Sequence, residues 1–223
     1  MFSLIIPTLR EKENLEVLIP EIGKWMGGID HEIIIVDDDS QDGTTELINE
    51  FSKKYPCRII VRKNERGLTG AVLCGVTESK GDDIIIMDAD LSHPPETLVK
   101  IAEELRNYDI VVASRNITGG SVDGAWPVHR HIMSKGATLL AKLILKTPSS
   151  DPMSGFFGAK KKVFEKTTFV VKGYKLLLNI LAKNKLHIKE IPYHFKDRYK
   201  GETKLDWKEN VQFVKDYIRL LVA

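Results

Sequence analysis

Apolar residues along this 223-residue chain fall into two alternating kinds of segment. Residues 3–7, 32–36, 58–61, 83–87 and 109–113 are short aliphatic runs bounded by charge, Pro or Gly. Continuous runs of this length predict strands buried on both faces, as in parallel sheets. Between them, residues 14–26, 44–53, 69–79 and 96–107 carry apolar positions at helical spacing. Repeated strand–helix alternation predicts βαβ units wound into an α/β, doubly wound, mostly parallel sheet with helices on both faces.

The rhythm breaks after residue 114. Residues 115–127 read as a Gly-rich loop, 129–146 as a helix, 148–152 as a loop with Pro at both ends. A strand near 156–160, a helix near 174–183 and a strand near 187–195 follow. The last segment, 206–222, is amphipathic, and Asp206 with Glu209 fits a capping box at its start.

Composition is ordinary for a globular protein, with 43% hydrophobic and 29% charged residues. The net charge of +2 hides a division. Residues 1–110 hold 12 basic and 22 acidic side chains, and residues 111–223 hold 21 basic and 9 acidic. The second half therefore fits an anionic partner, or carries lysine-rich solvated helix faces. The two cysteines, Cys57 and Cys74, exclude a disulfide framework. The first residues lack the charged and apolar regions of a signal peptide, and no apolar run reaches the length of a bilayer span.

In open α/β sheets, ligands bind beyond the carboxyl ends of the strands. Polar clusters fall at those ends here: Pro7, Thr8 and Glu11; residues 37–44; residues 88–95; and Ser114 with Arg115. Asp88 and Asp90 are two apart, so in extended chain they project to the same side. Such a pair repels itself unless a cation intervenes, and Mg2+ is commonly held by one or two carboxylates plus substrate phosphates. Residues 39–44 are one residue too long for the D-x-D-G-T of haloacid-dehalogenase phosphatases, and Asp42 fits the N-cap of the second helix. Gly67 to Gly70 opens the third helix as a structural start or a phosphate cradle, but is neither a P-loop nor G-x-G-x-x-G. His93, beside the acidic triplet, is within reach of a ligand.

Taken together, Ile6-Pro7-Thr8 with Glu11, Val36-Asp37-Asp38 through Asp42-Gly43-Thr44, and Asp88-Ala89-Asp90-Leu91 resemble the family 2 glycosyltransferases of GT-A fold. His93-Pro94-Pro95, Ser114-Arg115, Trp126-Pro127, Arg130, Ser134-Lys135-Gly136-Ala137, residues 151–156, Arg198 and residues 201–205 narrow the resemblance to dolichyl-phosphate (polyprenyl-phosphate) mannose synthases. The resemblance implies a GT-A domain over 1–205 with a C-terminal acceptor-side subregion, then an amphipathic helix over 206–223. It implies that Pro7, Thr8, Glu11, Val36, Asp38, Asp88, Arg198 and Lys204 bind the nucleotide sugar. Asp88 and Asp90 would hold Mg2+ or Mn2+, while Arg115, Arg130 and Ser134 would bind the acceptor phosphate; Asp90 and Arg115 would be catalytic.

The implied reaction is an inverting transfer of mannose from GDP-mannose to polyprenyl phosphate; the alternative is UDP-glucose or another donor, with a lipid-phosphate or glycan acceptor. A lipid phosphate is already anionic and needs no general base. The sequence departs from the family at Leu9 and Arg10, and at Ser92, where Gln is common; a hydroxyl is shorter than an amide, so a bridging water to the metal is expected there rather than direct ligation. Many relatives continue into transmembrane helices, whereas this chain stops at Ala223. Residues 129–146 set Arg130, Lys135, Lys142 and Lys146 around an apolar stripe, which fits a membrane interface or a core-packing helix with a wet face. A peripheral position on the cytoplasmic side of a membrane is expected. No nucleic-acid recognition motif or stacking platform is present, so no nucleic-acid partner is expected.

Overall fold

The computed structural model describes residues 1–64, 66–123, 148–169, 176–183 and 185–200. The helices expected at 129–146 and 206–222, and the domain boundary at 205, lie outside the described residues. The alternation read from the apolar runs is present: β1 (Phe2–Thr8), α1 (Lys12–Met26), β2 (His31–Asp37), α2 (Thr44–Phe51), β3 (Cys57–Val61), α3 (Leu68–Glu78), β4 (Asp83–Ile86), α4 (Thr97–Glu104) and β5 (Ile110–Ser114). After it come β6 (Ser121–Val122), β7 (Phe157–Lys160), α5 (Lys161–Lys166), α6 (Leu176–Lys183), β8 (Ile188–Pro192) and β9 (His194–Phe195).

Seven strands form the main sheet in the order β3-β2-β1-β4-β7-β5-β8. All pairs are parallel except those of β7, which runs antiparallel to both β4 and β5. The winding reverses between β1 and β4, which is where such sheets open a crevice. Pairing of β1 with β2 continues to Thr8↔Asp37, but pairing of β1 with β4 ends at Ile5↔Ile86. Pro7 lies past that end, so its missing N–H interrupts no described β1–β4 pair.

Both faces of the sheet are buried, which is why the strands read as unbroken apolar runs. Leu4 and Ile6 of β1, Ile33 and Ile35 of β2, Ile85 of β4 and Val111 of β5 pack with Leu15, Leu18, Ile19 and Ile22 of α1, Ile48 of α2, and Leu98 and Ile101 of α4. The alternate residues Ile5, Ile34, Val36, Ile84, Ile86, Ile110 and Val112 pack with Ala71, Val72 and Val76 of α3, Val163 and Phe164 of α5, and Leu177 and Ile180 of α6.

Two features depart from the sequence reading. The strand expected near 187–195 divides at Tyr193, because β8 pairs with β5 up to Ser114↔Pro192 while β9 pairs with β6 in a separate two-stranded sheet. Tyr193 bridges the two sheets, its N–H donating to Ser114 O at 3.3 Å and its carbonyl accepting the Ser121 N–H at 3.1 Å. Helix α5 was not anticipated; its six residues bury only Val163 and Phe164, too short a pattern to show a helical period.

Gly75 of α3 lies against β1: a Cβ there would stand 2.6 Å from Ile5 Cγ2 in the core. Gly75→Val should destabilise the protein by about 1–3 kcal/mol through overpacking. That corresponds to a fall in thermal midpoint of roughly 2–10 °C, and an unchanged midpoint would show that α3 can lift without penalty.

Candidate active site

The carboxyl ends of β1, β2, β4 and β5 gather the polar residues the apolar core could not hold. At the β1 and β2 ends, Thr8 Oγ1 donates to Asp37 Oδ1 at 3.1 Å. Ser40 completes the hold on Asp37 through its N–H at 2.8 Å and its hydroxyl at 2.5 Å. Thr8 and Asp37 therefore stiffen the β1–β2 end, and Ser40 Oγ in turn accepts the Arg10 N–H at 2.7 Å. Asp38 faces the other way. Its Oδ2 accepts the Gly67 N–H at 2.7 Å, and Oδ1 lies 3.5 Å from Arg62 Nε.

Gly67 is thus a structural helix start whose N–H is committed to Asp38, with φ +120 that suits a residue lacking Cβ. Asp42 is not the N-cap of α2. Gly43 occupies that position with φ +90, and Asp42 caps from one residue upstream, accepting from Thr44 N–H at 3.1 Å and Thr44 Oγ1 at 2.6 Å.

At the β4 end, the chain turns sharply at Leu91, whose φ is +63. Asp90 Oδ1 accepts the Ser92 N–H at 3.1 Å and the Ser92 hydroxyl at 2.5 Å. Ser92 is fully buried, so its hydroxyl serves Asp90 rather than the cleft. Asp90 Oδ2 lies 3.1 Å from Arg198 Nε.

Asp88 remains open to solvent, with 40% of its side-chain surface exposed. Desolvation, and then the neighbouring charge of Asp90, push its carboxyl up to about 7, against the pull of Arg198 and Arg115. Solvent at the exposed edge damps part of that effect.

His93 does not face a ligand. It is buried, its Nδ1 accepts the Asp88 N–H at 2.9 Å, and its ring stacks on Phe156 at 4.8 Å. The accepting Nδ1 requires a neutral ring, in keeping with the lowering of its pKa by burial. His93 therefore props the Asp88 backbone from beneath. Gly155, at the start of the β7 approach, passes so close that a Cβ would lie 3.5 Å from Asp88 Oδ2.

At the β5 end, Arg115 is clamped by Asp151. Nε and Nη2 donate to the two carboxylate oxygens at 2.7 and 2.8 Å, and the Arg115 N–H adds a third bond at 3.1 Å. The side chains are 14% and 1% exposed. Burial opposes the guanidinium's charge, but the hydrogen bonds and charge of Asp151 outweigh it and raise the pKa further. The guanidinium also lies 5.5 Å from the Phe195 ring centre. Only Nη1 is not committed to Asp151.

Residues 196–200 form a strap across this end of the sheet. Lys196 N–H donates to Ser92 O and Tyr199 N–H to Asp90 O, both at 3.1 Å. The strap carries Arg198 onto Asp90. It reaches α1, where Asn14 Nδ2 donates to Lys200 O at 3.3 Å and to Glu11 Oε2 at 2.6 Å.

Pro7, Thr8, Glu11, Val36, Asp38, Asp88, Asp90, Arg115 and Arg198 thus all come from the strand ends or the strap at one edge of the sheet. Arg130, Ser134 and Lys204 lie outside the described residues. Arg62, Asn14 and the pairing role of Asp151 were not anticipated. Arg62 follows β3 directly and was findable by the strand-end rule; Asp151 stood out only as part of the 151–156 motif, and nothing local tied it to Arg115, 36 residues away. Among the described residues no three His, Cys, Asp or Glu side chains form a metal group, and no helix is long and apolar enough to cross a membrane.

The glycosyl transferase family 2 profile matches residues 3–168. The chain is 42% identical to a dolichol-phosphate mannosyltransferase of Pyrococcus furiosus over 98% of its own length and 63% of that protein's. It is 38% identical to a dolichol-phosphate mannosyltransferase of Saccharomyces cerevisiae, covering 99% of this chain and 87% of that one. Among solved structures, glucosyl-3-phosphoglycerate synthase from Mycobacterium tuberculosis, in complex with Mn2+, UDP and glucosyl-3-phosphoglycerate, superposes with a TM-score of 0.72. It shares 17% identity and is matched over 100% of this chain and 78% of its own. That likeness establishes the GT-A fold. The chain belongs to glycosyl transferase family 2.

Two measurements test this geometry. Asp151→Asn removes one charge of a buried pair and should cost about 3–5 kcal/mol, a fall of roughly 6–20 °C in thermal midpoint; a fall of a degree or two would show Arg115 to be well solvated without its partner. The second uses pH. Asp88 has an unfolded pKa of about 3.9 and a folded value of about 7, so its contribution to the stability of the metal-free protein declines as pH rises between those values. The stability of Asp88→Asn relative to the parent should therefore climb from pH 4 to 7 and level off above; a difference independent of pH would refute the shift.

Proposed function

We propose that this chain transfers mannose from GDP-mannose to dolichyl, or another polyprenyl, phosphate at a membrane surface, with inversion at the anomeric carbon and release of GDP. The observation that carries the reading is the meeting of the Asp88 and Asp90 carboxylates with the clamped Arg115 at one end of the sheet. The name shared by the relatives from Pyrococcus and Saccharomyces supports the choice of sugar and lipid. The chain spans 63% of the length of the first of these, so the activity of the whole protein is part of the proposal.

On this reading Pro7, Glu11, Val36 and Asp38 frame the nucleotide, with Asp38 on the base. Thr8 acts through Asp37, holding the strand ends in register. Asp88 and Asp90 suit a hard divalent cation: desolvation and then the charge of Asp90 keep Asp88 above its ordinary pKa, and a cation would offset the repulsion between the two carboxylates. Mg2+ or Mn2+ held there would neutralise the diphosphate as it departs. Arg198, which lies against Asp90, is assigned to the donor, as is Lys204.

Arg115 orients the acceptor. Asp151 fixes the plane of its guanidinium and leaves Nη1 for a phosphate oxygen. Arg130 and Ser134 are assigned beside it. The acceptor oxygen attacks as an anion, so no side chain need remove a proton. His93 fits this, because its Nδ1 is committed to the Asp88 N–H.

Incubation with labelled GDP-mannose, Mn2+ and dolichyl phosphate should yield label extractable into organic solvent. Asp90→Ala should reduce transfer by about 100-fold or more, as expected for loss of a group stabilising the leaving charge. Label from UDP-glucose but not GDP-mannose would overturn the donor assignment, and no labelled lipid from any nucleotide sugar would overturn the function.

A further inference from the structure

Asn14 lies in the first turn of α1 and is 3% exposed. Its Nδ2 carries two hydrogens, and both are used: one on the Glu11 carboxylate at 2.6 Å, the other on the Lys200 carbonyl at 3.3 Å. Its Oδ1 is buried and accepts no hydrogen bond among the described residues. A buried amide that uses both donors and leaves its acceptor unmatched is in place for its donors.

The two acceptors belong to different parts of the site. Glu11 follows β1, whereas Lys200, at the end of the strap, lies 186 residues from Asn14 in sequence. The strap is fastened at the β4 end by the Ser92 and Asp90 carbonyls and by Arg198 on Asp90. Asn14 fastens it at the β1 end. A second tie at that end is the exposed pair of Lys200 Nζ with Glu13 at 2.8 Å, which solvent weakens.

We propose that Asn14 is a positioning residue of the donor site, whose one amide nitrogen ties Glu11 to the strap and thereby holds Arg198 over the turn bearing Asp88 and Asp90. This rests on reading Glu11 and Arg198 as donor-side residues. The chemistry is specific to an amide. Aspartate has the same shape but no donor, and would set a second negative charge between a carboxylate and a carbonyl. Alanine only removes the tie, and serine keeps one donor on a shorter arm.

The test is limited trypsin cleavage after Arg198 and Lys200, read by mass spectrometry on the substrate-free protein, because such cleavage follows local opening of the strap. Cleavage should quicken in the order Asn14, Asn14→Ser, Asn14→Ala, Asn14→Asp. The alanine variant should be about tenfold faster than the parent and the aspartate variant faster still. Glu13→Gln, which removes only the exposed tie, should change cleavage by less than about threefold. In transfer assays the alanine variant should raise KM for the sugar nucleotide about tenfold and change kcat less.

If Asn14→Asp is cleaved no faster than Asn14→Ala, the residue serves shape and the proposal fails. It fails equally if all variants match the parent. Cleavage is read without substrate, so it judges the tie separately from the identity of the sugar nucleotide. The serine variant keeps the comparison open should the aspartate variant not fold.

Discussion

A sheet covered on both faces leaves little room for polar side chains along the middle of its strands and gathers them at the strand ends. In this protein Leu4, Ile5 and Ile6 of β1 are all fully buried, facing alternate cores. Thr8 and Glu11 lie just past them. The same change from apolar to charged within two or three residues occurs at Val36 to Asp38, Ile86 to Asp88 and Ala113 to Arg115. Burial of the sheet therefore does more than stabilise it: it concentrates the reactive groups at one edge, and the reversal of winding between β1 and β4 opens that edge.

That constraint also explains what was legible in the sequence. The aliphatic runs announced the first five strands and four helices, because doubly buried strands carry a strong signal. The strand-end rule then pointed to Asp38, Asp88, Asp90 and Arg115. The hidden residues act across long separations. Asp151 clamps Arg115 from a loop 36 residues away, and Asn14 reaches Lys200 across 186. Neither lies in a local pattern whose period or spacing could announce it. The division of the strand at Tyr193 was hidden for a related reason: an apolar run looks the same whether its ladder stays in one sheet or passes to another.

The opposed charges of the two halves of the chain meet at the same edge. Asp88 and Asp90 come from the acidic half, while Arg115 and Arg198 come from the basic half and counter them. The two arginines are held differently. Arg115 is locked to a buried carboxylate and keeps a fixed orientation, whereas Arg198 rides on a strap and lies against a carboxylate at the cleft. A fixed cation suits an incoming anion, and a cation on a strap suits a group that must first be bound and later released.

The antiparallel strand β7 carries a further consequence, for the way the chain assembles. It lies between β4 and β5 yet follows both in sequence. Until residues 157–160 are made, β4 has no partner on that side and β5 has none at all, because its other neighbour, β8, follows later still. Insertion of a late strand into such a gap is a non-local step of the kind that slows folding. The Asp151 clamp and the Gly155 approach arrive with that strand, so the site can form only after the sheet has closed.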